Sequence, residues 1–150
     1  MNYYKFSPGQ GAQFWQQMRD QGIASIGWGN YDYASKENRE EIRALRPKYF
    51  DEHRSSPAII NRFNEINIGD VIYAFRGVNT IIARGVVKSP SQYSEQLILD
   101  RNGEGHHTFI EVEWVEFENE ITLDRQVSRN TISDVTERQE EIENMISGNS

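Results

Sequence analysis

Histidine and carboxylate side chains are the groups in this chain that could perform acid–base or metal chemistry. No HExxH, HxE…CxxC or GxSxG pattern surrounds His53, His106 or His107. Adjacent strand residues point to opposite faces, so His106 and His107 are poorly placed to hold one ion. The phosphate-cradling patterns GxxxxGK[ST] and GxGxxG are also missing, and cysteine is absent. We therefore expect no catalytic residue, no metal site and no cofactor.

Aromatic rings at the end of a predicted strand indicate a different chemistry, the stacking of a planar ligand. Residues 23–29 are typical of a strand that breaks into a polar segment carrying Trp28, Tyr31 and Tyr33. Three large rings are unusual in a segment that only connects elements, and their π-faces can hold a ligand. The alternative is that the same rings fold back and cap the core.

The charge of the chain bears on which ligand this could be. The formal net charge is −7, whereas nucleic-acid binders are usually basic. The acidity is concentrated near the C-terminus, since residues 110–150 hold eleven acidic and three basic side chains. The rest of the chain is nearly neutral, so nucleic acid is not excluded. No apolar run is long enough to span a bilayer, and we expect a cytoplasmic protein.

The elements that would position these residues are organised around residues 69–88. Two β-branched and aromatic runs, separated by a short Gly/Asn segment, predict a hairpin. Both faces of its first strand are apolar, so the strand should be central. Gly85 predicts a bulge or the close approach of another backbone.

The remaining segments complete the predicted fold. We expect a strand at 2–6, helices at 10–21 and at 35–45 with Ser35 as N-cap, a helix from Ser56, strands at 97–99, 108–117 and 121–123 with a turn at 100–103, and a helix at 133–145 capped by Ser133. Because the helices come early and the strands late, we expect one α+β domain, a small, mostly antiparallel, partly open β-barrel with helices at its rim.

Four segments together resemble the EVE domains of the PUA-like superfamily: YYKFSPGQGAQFW, IASIGWG, INIGDVIYAFRGVNTIIARGVV and EVEWVEF. The chain is most similar to the N-terminal modified-DNA-reading domains of McrBC-type and EVE-HNH modification-dependent restriction endonucleases. The resemblance covers about residues 2–118. Arg84 departs from the GIGxV-like pattern expected in the return strand.

The resemblance implies a reader of modified bases. Such domains flip a modified base, here 5-methylcytosine, 5-hydroxymethylcytosine or N6-methyladenine, out of double-stranded DNA and into an aromatic cage. By position, the implied cage residues are Trp28, Tyr31, Tyr33, Tyr73, Phe75 and Tyr93. The implied contacts to the nucleic-acid backbone are Arg76, Lys88, Arg84, Arg43 and Arg46.

The resemblance also implies that base recognition and cleavage are carried out by different domains. The reader does no chemistry, and a nuclease or motor domain is fused to it or supplied by a partner in a restriction system that acts in phage defence. We expect the acidic extension at 119–150 to lead toward such an effector domain.

Three other functions stay open from the residues alone. The same fold could bind RNA or modified RNA, because contacts to the 2′-hydroxyl leave no signature in a sequence. It could bind a small ligand or a protein partner without nucleic acid, which the net charge favours. It could also be an enzyme whose site the motifs do not reveal.

Overall fold

A curled sheet forms the body of the protein. The computed structural model describes residues 1–96, 99–101 and 104–148. Its strands are β1 (Tyr3–Phe6), β2 (Ile23–Ile26), β3 (Val71–Arg76), β4 (Thr80–Val87), β5 (Gln92–Tyr93), β6 (Leu99–Arg101), β7 (Glu104–His106), β8 (Thr108–Thr122) and β9 (Ile132–Asp134). Six strands follow the order β2-β8-β4-β3-β1-β9, while β5 pairs with β8. A separate two-stranded sheet joins β6 to β7.

The β3–β4 hairpin lies at the centre of this order because both of its faces are apolar. Ile72 packs into one apolar cluster, and Val71 and Tyr73 pack into another on the opposite face. Gly77 makes the turn with a φ of 72°, a conformation that glycine adopts without steric cost. The predicted central hairpin is confirmed.

Irregular pairing curls the sheet. The register shifts between Ala74 and Phe75 in the β3–β4 ladder and between Ile81 and Ala83 in the β4–β8 ladder. Such bulges bend a strand and increase its twist. β1 runs parallel to β3, whereas the other described pairs are antiparallel. The result is an open, mixed half-barrel, and the predicted α+β class is confirmed.

Helices cover the sheet. They are α1 (Trp15–Gln21), α2 (Arg39–Leu45), α3 (Pro47–Glu52), α4 (Ser56–Asn64) and α5 (Gln139–Gly148), with short 3₁₀ turns at Gln10–Ala12 and Thr136–Arg138. Among the described residues, no helix is long and apolar enough to cross a membrane.

Two predicted helix starts are corrected by the structure. Asn38, rather than Ser35, caps α2, because its extended backbone lets its side chain accept hydrogen bonds from the amides of Glu40 and Glu41. Ser133 lies in β9, and α5 begins six residues later. The predicted strand at 121–123 is largely the end of β8. Residues 97–98 and 102–103, within the predicted strand and turn, lie outside the described residues.

The two faces of the sheet bury different clusters. The first cluster joins β1, β2 and β8 to helices α2 to α4 and includes Phe6, Ile72 and Ile110. The second cluster packs Tyr73 and Phe75 of β3 against Ile142 of α5. The sheet therefore separates α5 from the helices that follow β2.

Gly85 has a packing role that the sequence analysis did not predict. A Cβ atom at this position would lie 2.3 Å from Val112 Cγ1 and 2.7 Å from Trp114 Cε3, both on the neighbouring strand β8. The close approach is thus made by side chains, and the register of the ladder is regular at Gly85. Trp114 lies over this site and donates from its indole N–H to the carbonyl of Ile23 at 2.9 Å, which ties β8 to β2.

The Gly85→Ala variant is expected to lower the free energy of unfolding by about 1–3 kcal/mol, because the added methyl group overpacks the contact with Val112 and Trp114. Denaturant unfolding measures the change. Gly148→Ala is the matched control, since no atom lies within 4 Å of its added Cβ, and it should leave stability unchanged or slightly higher. Equal stabilities of the two variants would contradict the packing role.

Candidate ligand-binding cavity

A cavity of about 580 Å³ lies where the two ends of the curled sheet approach each other. One side is formed by Ser25 and residues 26–28 at the end of β2. The other side is formed by Lys5 and Ser7 of β1 and the loop after it, and by Thr131 beside β9. β2 and β9 stand at opposite ends of the strand order, so the cavity fills the opening of the half-barrel. Its volume is within the range of small-molecule sites.

Trp28 enters the cavity from a strained backbone. Its φ is 68°, a left-handed conformation that is rare for a bulky residue and costs about 1–3 kcal/mol. The carbonyl of Trp28 accepts hydrogen bonds from the Tyr33 hydroxyl at 2.7 Å and the Arg46 guanidinium at 3.0 Å. The following residue, Gly29, donates to the carbonyl of Gly105 at 3.2 Å. These contacts hold the strained residue in place, and Trp28 is half-buried and lines the cavity.

Other aromatic side chains line the cavity or lie close to it. Phe14, just before α1, and Tyr49 of α3 line the cavity together with Trp28. The Arg46 guanidinium stacks on Tyr49, 3.9 Å from the ring centroid, and on Tyr31, 4.8 Å from its centroid. Such cation–π contacts contribute about 0.5–2 kcal/mol and fix the positions of both rings.

The structure brings together only part of the predicted cage. Trp28 lines the cavity. Tyr31 contacts the Arg46 guanidinium through its ring. Tyr33 is fully buried, and its hydroxyl donates a hydrogen bond to the carbonyl of Trp28. Tyr93 lies on β5, where its hydroxyl donates to the carbonyl of Asn30 at 3.2 Å, outside the lining.

Tyr73 and Phe75 require a correction. Both are fully buried in the second cluster, on the face of the sheet that α5 covers. Alternation along β3 places them on the same face as Val71, and that face is turned away from the helices beside the cavity. They are core residues and do not contribute to an aromatic cage with Trp28.

Four of the five predicted backbone-contacting side chains are paired with carboxylates. Arg84 is bound by Glu143 of α5 at 2.7 Å on the second face, so its assignment to a nucleic-acid contact is corrected. Arg76 pairs with Glu120, and Arg43 pairs with Asp51. Lys88 is 3.5 Å from Glu113, and Arg46 is engaged beside Trp28.

Lys5, Ser25 and His106 are the buried polar residues among those that line the cavity. The Lys5 side chain is almost completely buried, and its ammonium donates to the carbonyl of Asn130. Burial lowers the pKa of Lys5 to about 8. His106 Nδ1 lies 2.9 Å from Ser25 Oγ, and burial lowers the pKa of His106 to about 4. The imidazole is therefore neutral at pH 7, and Lys5 is mostly charged.

The two adjacent histidines have different hydrogen-bond partners, although only His106 lies in a strand, β7, and His107 follows it. His107 Nδ1 lies 2.9 Å from the carbonyl of Ser94, whereas His106 contacts Ser25. Across the part of the chain that the structure describes, no group of three or more His, Asp or Glu side chains is arranged to hold a metal ion.

Sequence reasoning missed Lys5, Phe14, Tyr49 and His106. A lysine within the aromatic run NYYKF was a usable signal, because a charge in a strand with apolar neighbours is costly unless it has a role. Tyr49 carried no such signal, since it lies on a short helix between charged residues.

These features define an α+β half-barrel domain with an aromatic and partly cationic cavity at the mouth of its sheet. The chain belongs to the family described as "Domain of unknown function (DUF8426)", whose model matches residues 4–137. No curated protein matches the chain.

Two solved structures match the chain over nearly its whole length. A hypothetical protein from Leishmania major has a TM-score of 0.52 at 10% identity, over 100% of this chain and 98% of that one. A protein from Agrobacterium tumefaciens has a TM-score of 0.48 at 12% identity, over 99% of this chain and 93% of that one. At such identities the likeness to the Leishmania protein concerns the fold alone.

Protonation of His106 should make stability depend on pH. Its folded-state pKa, about 4, lies below the ordinary value of 6.5, so the unfolded chain takes up the proton first as pH falls. Stability should fall by up to about 3 kcal/mol between pH 6.5 and 4 through this group. Urea unfolding at a series of pH values should show a smaller slope for His106→Gln than for wild type. The exposed His53→Gln control should keep the wild-type slope, and an unchanged slope in His106→Gln would contradict the assignment.

Proposed function

We propose that this protein is an EVE-type reader that binds a modified DNA base flipped into the cavity. The observation that carries the proposal is the position of Trp28, which lines the cavity. Its backbone is left-handed, and its carbonyl accepts two hydrogen bonds that hold it in place. Strained backbone concentrates at functional sites, where the surrounding contacts maintain it.

The energetics of base flipping fit a cavity with several rings. Extruding a base costs a few kcal/mol, and stacking on an aromatic side chain returns about 1–3 kcal/mol per base. Trp28 and Tyr49, both half-buried, are aromatic residues of the lining, and Phe14, which is 7% exposed, adds apolar surface to it. The cavity is also large enough for a base carrying an extra methyl or hydroxymethyl group.

The segments that resemble EVE domains supply much of the lining. YYKFSPGQGAQFW contributes Lys5, Phe14 and the glycine-rich loop between them, and IASIGWG contributes residues 25–28. The similarity therefore concentrates on the proposed site as well as on the central hairpin. This supports the assignment to EVE-like readers, which the hairpin alone would not.

Phosphate contacts are available despite the net negative charge. Arg129 is exposed at the cavity, and among the described residues no carboxylate pairs with it. The exposed pairs of Arg76, Arg43 and Lys88 contribute about 0–1 kcal/mol each, so a phosphate can replace the carboxylate. The DNA backbone would then be held by side chains that are paired in the free protein.

In this proposal the domain is the specificity module of a modification-dependent restriction system. A nuclease or motor domain, fused to the reader or in a complex with it, would act on the DNA to which the reader binds. Modified RNA uses the same stacking and phosphate contacts, so matched RNA belongs in every binding experiment.

Trp28→Gly tests the cage. Glycine adopts a φ of 68° without strain, so relief of the strain partly offsets the stability that is lost with the ring, and the protein should stay folded. Affinity for the preferred modified duplex should fall about 10- to 100-fold, measured against matched duplexes with cytosine, 5-methylcytosine, 5-hydroxymethylcytosine, adenine or N6-methyladenine. Tyr73→Phe, on the far face, is the control and should bind as wild type. Undiminished selectivity in Trp28→Gly would exclude the cage.

Salt dependence tests for phosphate contacts. The affinity of the wild type should fall steeply between 50 and 200 mM salt, because binding releases counterions from DNA and added salt reduces the entropy gained by that release. Arg129→Gln should reduce the slope of log K against log salt by about one. Arg125→Gln, which removes the same charge beside Glu141 of α5, should leave the slope unchanged. A flat wild-type response would favour a small ligand or a protein partner instead.

A further inference from the structure

The residues that line the cavity differ in polarity between its two sides. Phe14 and Trp28 are apolar and aromatic. Ser7, Arg129 and Thr131, which we call the polar rim, carry two hydroxyl groups and a guanidinium. A ligand that contacts both sides therefore needs a planar part and a part that accepts hydrogen bonds.

Backbone contacts hold the polar rim together. The amide of Ser7 donates to the carbonyl of Thr131 at 2.9 Å, which continues the pairing of β1 with β9. The Lys5 ammonium donates to the carbonyl of Asn130. Both contacts tie the segment that directly follows Arg129 to β1, so the three polar side chains are carried by a fixed backbone.

Gly9 brings the polar rim close to the aromatic side. A Cβ atom at Gly9 would lie 2.5 Å from Phe14 Cδ2, so the loop after β1 packs directly on this ring. The Phe14 ring centroid is 4.7 Å from that of His106, and a Cβ atom at Gly27 would lie 3.5 Å from His106 Nε2. A chain of contacts thus connects the loop after β1 with the end of β2, and the two sides adjoin within one cavity.

The charge of the lining favours an anion. The chain carries 23 acidic and 16 basic residues, yet the described lining contains Lys5 and Arg129 and no acidic side chain. Arg129 is exposed, and no carboxylate of the described residues forms an ion pair with it. A guanidinium binds phosphate through parallel hydrogen bonds, and serine and threonine hydroxyls also donate to phosphate oxygens. The polar rim therefore has the donors that a phosphate group requires.

We infer that the polar rim binds the phosphate of the same nucleotide whose base lies against Trp28, so that the cavity takes a nucleoside monophosphate rather than a base alone. This inference rests on the proposed function, because it takes a modified base as the ligand. It adds a second recognised group on that nucleotide, and it makes the free modified nucleoside monophosphate a ligand of the protein.

Calorimetric titration with small ligands tests the inference. The ligands are 5-methyl- and 5-hydroxymethyl-2′-deoxycytidine and N6-methyl-2′-deoxyadenosine, each as the nucleoside, the 5′-monophosphate and the 3′-monophosphate. A free nucleotide needs no base flipping, so its affinity reports on the cavity alone. One of the two monophosphates should bind about 10- to 100-fold more tightly than its nucleoside, as expected for hydrogen bonds to a charged group. Equal affinities of the nucleoside and both monophosphates would overturn the inference.

Variants assign the gain in affinity to the polar rim. Arg129→Gln and Ser7→Ala should lose most of the gain from the phosphate and bind the nucleoside as wild type does. Arg125→Gln, which removes an exposed arginine beside Glu141, is the matched control and should keep the gain. Trp28→Gly should weaken the nucleoside and the monophosphate by the same factor. A full phosphate gain in Arg129→Gln would contradict the assignment.

The same comparison in DNA does not depend on binding of a free nucleotide. A methylphosphonate linkage on the 5′ or the 3′ side of the modified nucleotide removes the charge of one phosphate. Wild type should lose about 10-fold or more in affinity with one of these two duplexes, whereas Arg129→Gln should lose little. Unchanged wild-type affinity for both duplexes would overturn the inference even if no mononucleotide binds measurably.

The outcomes separate the inference from the proposed function. Selective binding of a modified duplex that Trp28→Gly abolishes, without any gain from the adjacent phosphate, overturns only the phosphate site. A phosphate gain that Arg129→Gln removes, together with equal binding of modified and plain duplexes, supports the phosphate site and overturns the reading of modified bases. If neither selectivity nor a phosphate gain is found, both claims fail.

Discussion

The carbonyl of Trp28 is the point on which the cavity depends. Two donors from different segments, the Tyr33 hydroxyl and the Arg46 guanidinium, converge on this one oxygen. Together they hold a left-handed backbone that a tryptophan would not otherwise adopt. The same guanidinium stacks on Tyr31 and Tyr49, so one side chain orders the carbonyl and two neighbouring rings. The positions of Trp28, Tyr31 and Tyr49 are therefore fixed before a ligand binds, which lowers the entropic cost of binding a planar ligand.

The open sheet provides the space for the cavity that Trp28 and Tyr49 line. A closed barrel would join β2 to β9, whereas here the two strands end the sheet and the cavity lies between their sides. Bulges in the β3–β4 and β4–β8 ladders produce the necessary curvature, and Gly85 lets Trp114 lie close over the sheet and reach β2. Core packing and the site are thus linked, because the same curvature that buries the first cluster opens the cavity.

The sequence predicts the centre of this fold better than its site. Two β-branched runs around Gly77 define the hairpin locally, and large rings after β2 single out Trp28. Alternation shows that Tyr73 and Phe75 share a face, but which face opens to the cavity depends on where α5 packs. Tyr49 reaches the cavity only through tertiary packing of the short helix α3. Lys5 could have been found from the cost of burying a charge in an aromatic strand.

The most direct test of the cavity as the ligand site is an NMR titration that follows the indole N–H signals of the three tryptophans. Trp15 and Trp114 are internal controls, because their N–H groups are bound to Glu116 and to the carbonyl of Ile23, away from the lining. Adding a duplex with the preferred modified base should shift the Trp28 signal and leave the other two nearly unchanged. Binding that leaves Trp28 unmoved, or that shifts Trp15 or Trp114 instead, would contradict the account.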